Sequence, residues 1–184
     1  MESDISLTDT YTAASYLRLP EGFPYHLIHG KLVHWPSRTS FHQMVLGNLA
    51  MEVIGHNRRR KQGRVIMGPL DVVLDEANVF QPDLLFIREE RRAILDGYAR
   101  AAPDFVVEVL DANATAYYDR NDKKDKYGQH GVREYWIIDP EAVRLEIYRN
   151  HDGKLLPEQT ITSGEVQSQV IEGLAFDLEE LWEE

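Results

Sequence analysis

There is no cysteine among the 184 residues. That absence excludes disulfides, thiolate metal sites and cysteine nucleophiles. Long apolar runs are missing too, and none approaches a membrane span. The opening residues, Met1-Glu2-Ser3-Asp4, lack the basic and then apolar regions of a signal peptide, so a cytoplasmic protein with no membrane partner is expected. Positive charge is scarce: 20 Lys and Arg face 31 Asp and Glu, a formal net charge of −11. Such a balance opposes nonspecific adhesion to nucleic acid, but the distribution matters more than the sum. Acid gathers at the end of the chain, in Asp177, Glu179, Glu180, Glu183 and Glu184, whereas Arg58, Arg59, Arg60, Lys61 and Arg64 concentrate base in one short stretch. That stretch reads either as a solvated helix end, where cations complement the carbonyl-rich terminus, or as a phosphate-facing patch.

The length and a hydrophobic share of 43% fit one domain, residues 1–184, with a core of useful size. Thr8 or Asp9 is expected to cap a helix running to Arg18. Tyr25 to Ile28 and Lys31 to His34 flank His29-Gly30 as a hairpin. From Ser40 a long helix is expected, with Val45, Leu46, Leu49 and Val53 on one stripe, His42 at its start and Gly63 as its stop. Short apolar runs then follow at Val65 to Met67, Leu70 to Leu74, Leu84 to Ile87, Phe105 to Leu110, Val132 to Ile138, Val143 to Tyr148 and Lys154 to Leu156. Helices are expected at Arg88 to Leu95, Tyr117 to His130 and Asp177 to Trp182, and a loop at Asn113 to Ala116. Together these describe an α/β (α+β) protein, one mixed sheet flanked by helices.

Two acids interrupt apolar strands. Glu108 sits in Phe105-Val106-Val107-Glu108-Val109-Leu110, and Asp83 opens Asp83-Leu84-Leu85-Phe86-Ile87. A carboxylate among Val and Leu is costly to ionise without a partner. Two readings follow. The acids converge on a hard cation, Mg²⁺ or Mn²⁺, of the kind that polarises a phosphoryl oxygen; or Glu108 pairs with a buried Arg or Lys and Asp83 merely starts a strand. Downstream, Asp119, Lys123, Lys126, Tyr127 and His130 fall on one helical side. Lys123 there is either a phosphate-stabilising amine or half of a surface pair with Asp119. Tyr135-Trp136, inside an apolar run, reads as core packing or as a base-stacking platform.

Taken in order, Tyr25 to Val33, His42, Pro82-Asp83, Ala102 to Leu110, Asp119, Lys123, Tyr127 and Gly131 to Pro140 make the chain resemble the Uma-type restriction endonucleases. These form a branch of the PD-(D/E)XK nuclease superfamily. The resemblance implies a restriction endonuclease-like core, a metal held by Asp83, Glu108 and the backbone carbonyl of Val109, and catalysis shared by Asp83, Glu108 and Lys123. The superfamily's lysine two residues after the glutamate is replaced here by Leu110, and the resemblance moves that role to Lys123. It also places Tyr127, His26 and His42 around the pocket, though His42 fits a core or capping role equally. Three departures stand out: His26 occupies a position that usually holds glutamate, His29 one that usually holds aspartate, and Asp111-Ala112-Asn113 replaces Ser-Pro-Ser. His26 either removes an outer carboxylate or supplies a nitrogen ligand.

The expected function is a Mg²⁺- or Mn²⁺-dependent endonuclease acting on DNA, as a homodimer. Its alternatives are a catalytically degenerate nucleic-acid or protein binding module on the same fold, and an enzyme acting on a small phosphorylated molecule.

Overall fold

The computed structural model describes residues 7–20, 22–111 and 115–183. The expected loop residue Asn113 and the opening Met1 to Asp4 lie outside them. A short helix, Ala13–Tyr16 (α1), precedes a hairpin of Tyr25–Ile28 (β1) and Lys31–His34 (β2). The long helix is Ser40–Arg60 (α2), followed by Gly63–Met67 (β3), Val72–Asp75 (β4), Asn78–Phe80 (β5) and Leu84–Arg88 (β6). A 3₁₀ turn, Glu89–Ile94, leads to Leu95–Asp96 (β7), Tyr98–Ala99 (β8) and Phe105–Val109 (β9). Next come Thr115–Tyr118 (α3), a π-helical turn over Asp119–Lys123, and Lys124–Gln129 (α4). Glu134–Asp139 (β10), Arg144–His151 (β11), Lys154–Ile161 (β12), Glu165–Gln167 (β13), Ala175–Asp177 (β14) and a 3₁₀ turn, Leu178–Trp182, complete the chain.

The main sheet has the order β12-β11-β10-β9-β6-β3. It is mixed: β9 and β10 run parallel, and the remaining neighbours are antiparallel. A second sheet, β2-β1-β5-β4-β8-β7, carries the hairpin. Strand alternation sends Phe105, Val107 and Val109 toward Val45, Leu49 and Val53 of α2. It sends Val106 and Leu110 toward Tyr127 and Tyr135. Both faces of β9 are therefore covered, as its uninterrupted apolar character requires, and Glu108 is forced onto the second face among aromatic rings. No helix among the described residues is long and apolar enough to cross a membrane.

Several expected boundaries moved for identifiable reasons. The first helix is capped by Thr12, not Thr8 or Asp9, because Thr12 and Ser15 satisfy each other's backbone amides in a capping box. Helix α2 ends at Arg60, with Lys61 taking the left-handed turn (φ 55°) in place of Gly63. Gly63 instead opens β3, where a Cβ would lie 2.1 Å from the Ile87 carbonyl oxygen. The expected helix over Arg88 to Leu95 is a 3₁₀ turn, as is the closing one. Tyr135 and Trp136 are both fully buried, on opposite faces of β10, so neither presents a ring to a base.

Candidate active site

Antiparallel pairing of β6 with β9, Leu84 opposite Val107, brings the residue before β6 beside the end of β9. Asp83 is that residue. Its Oδ2 accepts the Val109 amide at 2.8 Å and lies 3.3 Å from His42 Nε2. His42 is on the first turn of α2, held there by the Thr39 side chain, which accepts its amide at 3.1 Å. Behind Asp83, the Gly68 amide donates to the Asp83 carbonyl at 2.8 Å, and a Cβ on Gly68 would fall 2.3 Å from the Pro82 carbonyl oxygen. Gly68→Ala is therefore expected to push the Pro82-Asp83 segment aside and to cost about 1–3 kcal/mol. Chemical denaturation measures the loss, and a variant as stable as the parent would show that the segment yields freely.

Glu108 belongs to the same end of β9, next to Val109. Its Oε1 accepts the Tyr127 hydroxyl at 3.1 Å and lies 2.5 Å from Lys123 Nζ. Lys123 also pairs with Asp119 at 2.8 Å, and the Tyr135 hydroxyl donates to the Asp119 carbonyl at 3.0 Å. Glu108 and Lys123 are both 0% exposed, so the Asp119–Lys123 pair belongs to the interior and not to the surface. The segment that carries the pair is a π-helical turn, Asp119–Lys123. An extra residue in one turn rotates the residues after it relative to those before, and such turns are frequent at functional sites. Asp119, Lys123 and Tyr127 share the inward side, as their spacing of four and eight residues predicts.

A third segment, the loop from Trp35 to Thr39, closes over the acids. The Arg38 guanidinium lies 3.1 Å from Asp111 Oδ2 and 3.5 Å from Asp83 Oδ1, and the Thr39 hydroxyl donates to Asp111 Oδ1 at 3.2 Å. The Trp35 ring has Lys123 Nζ 4.6 Å and the Arg38 guanidinium carbon 5.4 Å from its centroid. His26 stacks on Trp35 at 4.0 Å and is fully buried, with neither ring nitrogen hydrogen-bonded. Burial, then the Lys123 and Arg38 charges, hold its pKa well below the usual value, so it is neutral.

The electrostatics of the cluster favour a further cation. Fully ionised, Asp83, Glu108, Asp111 and Asp119 would carry four negative charges against two positive ones, from Arg38 and Lys123, and burial raises Glu108 and Asp119 against that excess. Burial pushes Glu108 up to about 8; Lys123 opposes the rise, and the Asp119 and Asp83 charges add to it. Burial would raise Asp83 as well, but His42, the Arg38 charge and the Val109 amide outweigh it and hold its carboxyl below the usual range. Lys123 is held above its ordinary value by Asp119 and Glu108 despite burial. Three carboxylate oxygens of the cluster stay underused: Glu108 Oε2 and Asp119 Oδ2 are buried with no hydrogen-bond partner, and Asp83 Oδ1 has only the long contact to Arg38. Among the described residues no group of three or more His, Asp or Glu side chains is arranged around one metal position. The donor set nevertheless fits Mg²⁺ or Mn²⁺, since Mg²⁺ is commonly held by one or two carboxylates and keeps several waters.

The raised Glu108 has a measurable consequence. Between its ordinary pKa and about 8 the folded protein keeps a proton that the unfolded chain releases. Stability is therefore lost as pH rises through that window. Glu108→Gln, which cannot ionise, is expected to gain melting temperature over the parent in EDTA, and to gain more at pH 8.5 than at pH 6. Equal gains at both pH values would mean that the carboxyl titrates normally.

Asp83, Glu108, Lys123, His42 and Tyr127 thus meet at one end of the main sheet, with His26 behind Trp35. The Val109 amide is engaged with Asp83. The basic stretch is elsewhere. From His42 to Arg60 helix α2 spans about 27 Å at 1.5 Å per residue, which puts Arg58, Arg59, Arg60 and Lys61, all exposed, at its far end. Arg64 is paired with Glu89 at 3.2 Å. Sequence reading missed Trp35, Arg38 and Asp111 and left Asp119 outside the site. The one available signal for Asp119 was its place on the Lys123 side of the helix; Arg38 and Trp35 lie in an irregular loop with no periodicity to mark them.

The chain matches, over residues 13–179, the model of a family described as Uma2, putative restriction endonuclease. No curated protein matches it. Its fold is similar to the crystal structure of a putative nuclease belonging to DUF820 from Anabaena variabilis, at 18% identity and a TM-score of 0.76. That similarity covers 93% of this chain and 97% of the other.

Proposed function

The chain belongs to the Uma2 family, and from that premise we propose that it is a Mg²⁺- or Mn²⁺-dependent endonuclease hydrolysing DNA phosphodiester bonds. The observation that carries the reading is the convergence of Asp83 and Glu108, each with an oxygen left over, in a cluster whose acids outnumber its bases. Asp83, Glu108 and the Val109 carbonyl would hold the ion. When bound, such an ion polarises a phosphoryl oxygen and lowers the pKa of a water. His42 fixes the orientation of Asp83, and Tyr127 that of Glu108. Lys123 brings a positive amine to the same strand end, where it neutralises charge developing on the phosphoryl group and orients the attacking water. Trp35, over Lys123, keeps bulk water away until substrate enters.

The exposed Arg58 to Lys61 stretch would contact backbone phosphates at a distance. About 27 Å of helix separates it from the acids, which corresponds to about eight nucleotide steps of 3.4 Å. A homodimer would let two sites address both strands of a duplex.

The test is nicking of supercoiled plasmid in Mg²⁺ or Mn²⁺ against an EDTA control, joined to DNA affinity measured across a salt series. Metal-dependent nicking with an affinity that falls steeply with salt is expected. Turnover of a small phosphate ester with salt-insensitive affinity would instead assign a small phosphorylated substrate. The second reading, a binding module without catalysis, draws on the closed pairing of Lys123 with Glu108 and Asp119 and on His26 in place of a carboxylate. It predicts DNA or protein binding with no Mn²⁺ uptake even at millimolar concentration.

A further inference from the structure

We infer that Arg38 is a built-in counter-ion of the cation site, and that it couples entry of the divalent ion to entry of the substrate phosphate. The inference rests on the metal-dependent reading above and goes beyond it. Asp83 Oδ2 is committed to the Val109 amide and to His42, so Oδ1 is the oxygen left for an ion. Arg38 stands on that oxygen, at 3.5 Å, with its side chain only 10% exposed. The guanidinium is not free to leave the site, because its shorter contact, 3.1 Å, is to Asp111, and Asp111 is itself held by the Thr39 hydroxyl. A small shift toward Asp111 uncovers Asp83 Oδ1 without exposing the arginine.

In the absence of nucleic acid, Arg38 and an incoming divalent ion compete for Asp83 and repel each other across a buried space. A phosphodiester removes both obstacles. Its oxygens take up the guanidinium, which forms paired hydrogen bonds to phosphate well, and its charge offsets the repulsion. Ion and substrate then assist each other's binding, and the assistance is reciprocal. His26 strengthens the argument: a neutral ring at this position supplies no extra carboxylate to favour the ion by itself. Arg38 is thus a positioning residue that keeps the metal affinity of the free protein low.

Mn²⁺ titrations followed by electron paramagnetic resonance, without activity as a readout, decide the matter. The parent, Arg38→Met and Arg38→Lys are each titrated with and without an uncleavable phosphorothioate duplex. In the parent the duplex is expected to tighten Mn²⁺ binding. Without duplex, Arg38→Met should bind Mn²⁺ about tenfold or more tightly than the parent, since a charge a few ångströms from the ion has gone, and the duplex should add little. Arg38→Lys, which keeps the charge, should stay near the parent. A gain in affinity is not something a merely damaged site produces. Should Arg38→Met not fold, Arg38→Gln, neutral and still able to donate to Asp111, carries the same comparison. Mn²⁺ binding in Arg38→Met equal to or weaker than in a parent that does bind the ion overturns the role of Arg38 and leaves the nuclease reading standing. No Mn²⁺ uptake by any of the proteins, with or without duplex, overturns both.

Discussion

Plasmid nicking in Mn²⁺ is expected to fall at least about a thousandfold, about 4 kcal/mol of transition-state stabilisation, in Asp83→Asn and again in Glu108→Gln. The amides keep the size and most of the hydrogen bonding of the acids while removing the charge that holds a cation. Asp83→Asn retains an oxygen for the Val109 amide, so the backbone of β9 need not move. Glu108→Gln retains an oxygen for the Tyr127 hydroxyl. Because each acid acts through the same ion, the double variant should be little worse than either single one. Nicking rates under single-turnover conditions check both statements. Full activity in either variant would remove the two carboxylates from the chemistry, whatever their proximity.

Strand alternation was legible in the sequence and did most of the work. It placed Glu108 with Val106 and Leu110, and the structure keeps those three on the aromatic side of β9. The hairpin at His29-Gly30 was legible because both residues must take positive φ, 50° and 74°, which a short loop of that type demands. Two things were not legible. The first is the π-helical turn: helical spacing assumes 3.6 residues per turn, and nothing in Asp119-Arg120-Asn121-Asp122-Lys123 announces an extra residue. The four-residue spacing of Asp119 and Lys123 was legible, but not that the packing of this segment would bury the pair. The second is the covering loop. Arg38 reaches Asp83 across 45 residues of chain and Asp111 across 73, and contacts of that kind leave no local pattern. Of the two alternatives weighed for Glu108, the structure shows the partner of a buried base, Lys123; the proposed metal role draws on the oxygen that the pairing leaves over.

That pairing makes Lys123 the residue whose removal should cost most in stability. Lys123→Met fills nearly the same volume but leaves Glu108 and Asp119 buried side by side with no cation between them. Breaking a buried pair by deleting one partner costs about 3–5 kcal/mol, because the stranded charge is the main loss. For a chain of this size that corresponds to a fall of about 6–20 °C in melting temperature. The stranded acids can escape only by taking up protons. The deficit should therefore be larger at pH 8 than at pH 5, and thermal melts in EDTA at the two values measure it. Asp119→Asn added to Lys123→Met should recover most of the loss, since one neutral amide beside Glu108 no longer repels it. A stable Lys123→Met protein that has nonetheless lost nicking would separate the two duties of this lysine, leaving the chemical one intact. A variant that keeps both stability and nicking would mean that the amine is a bystander, and that the charge on the phosphoryl group is met from elsewhere in the site, with Arg38 the nearest candidate.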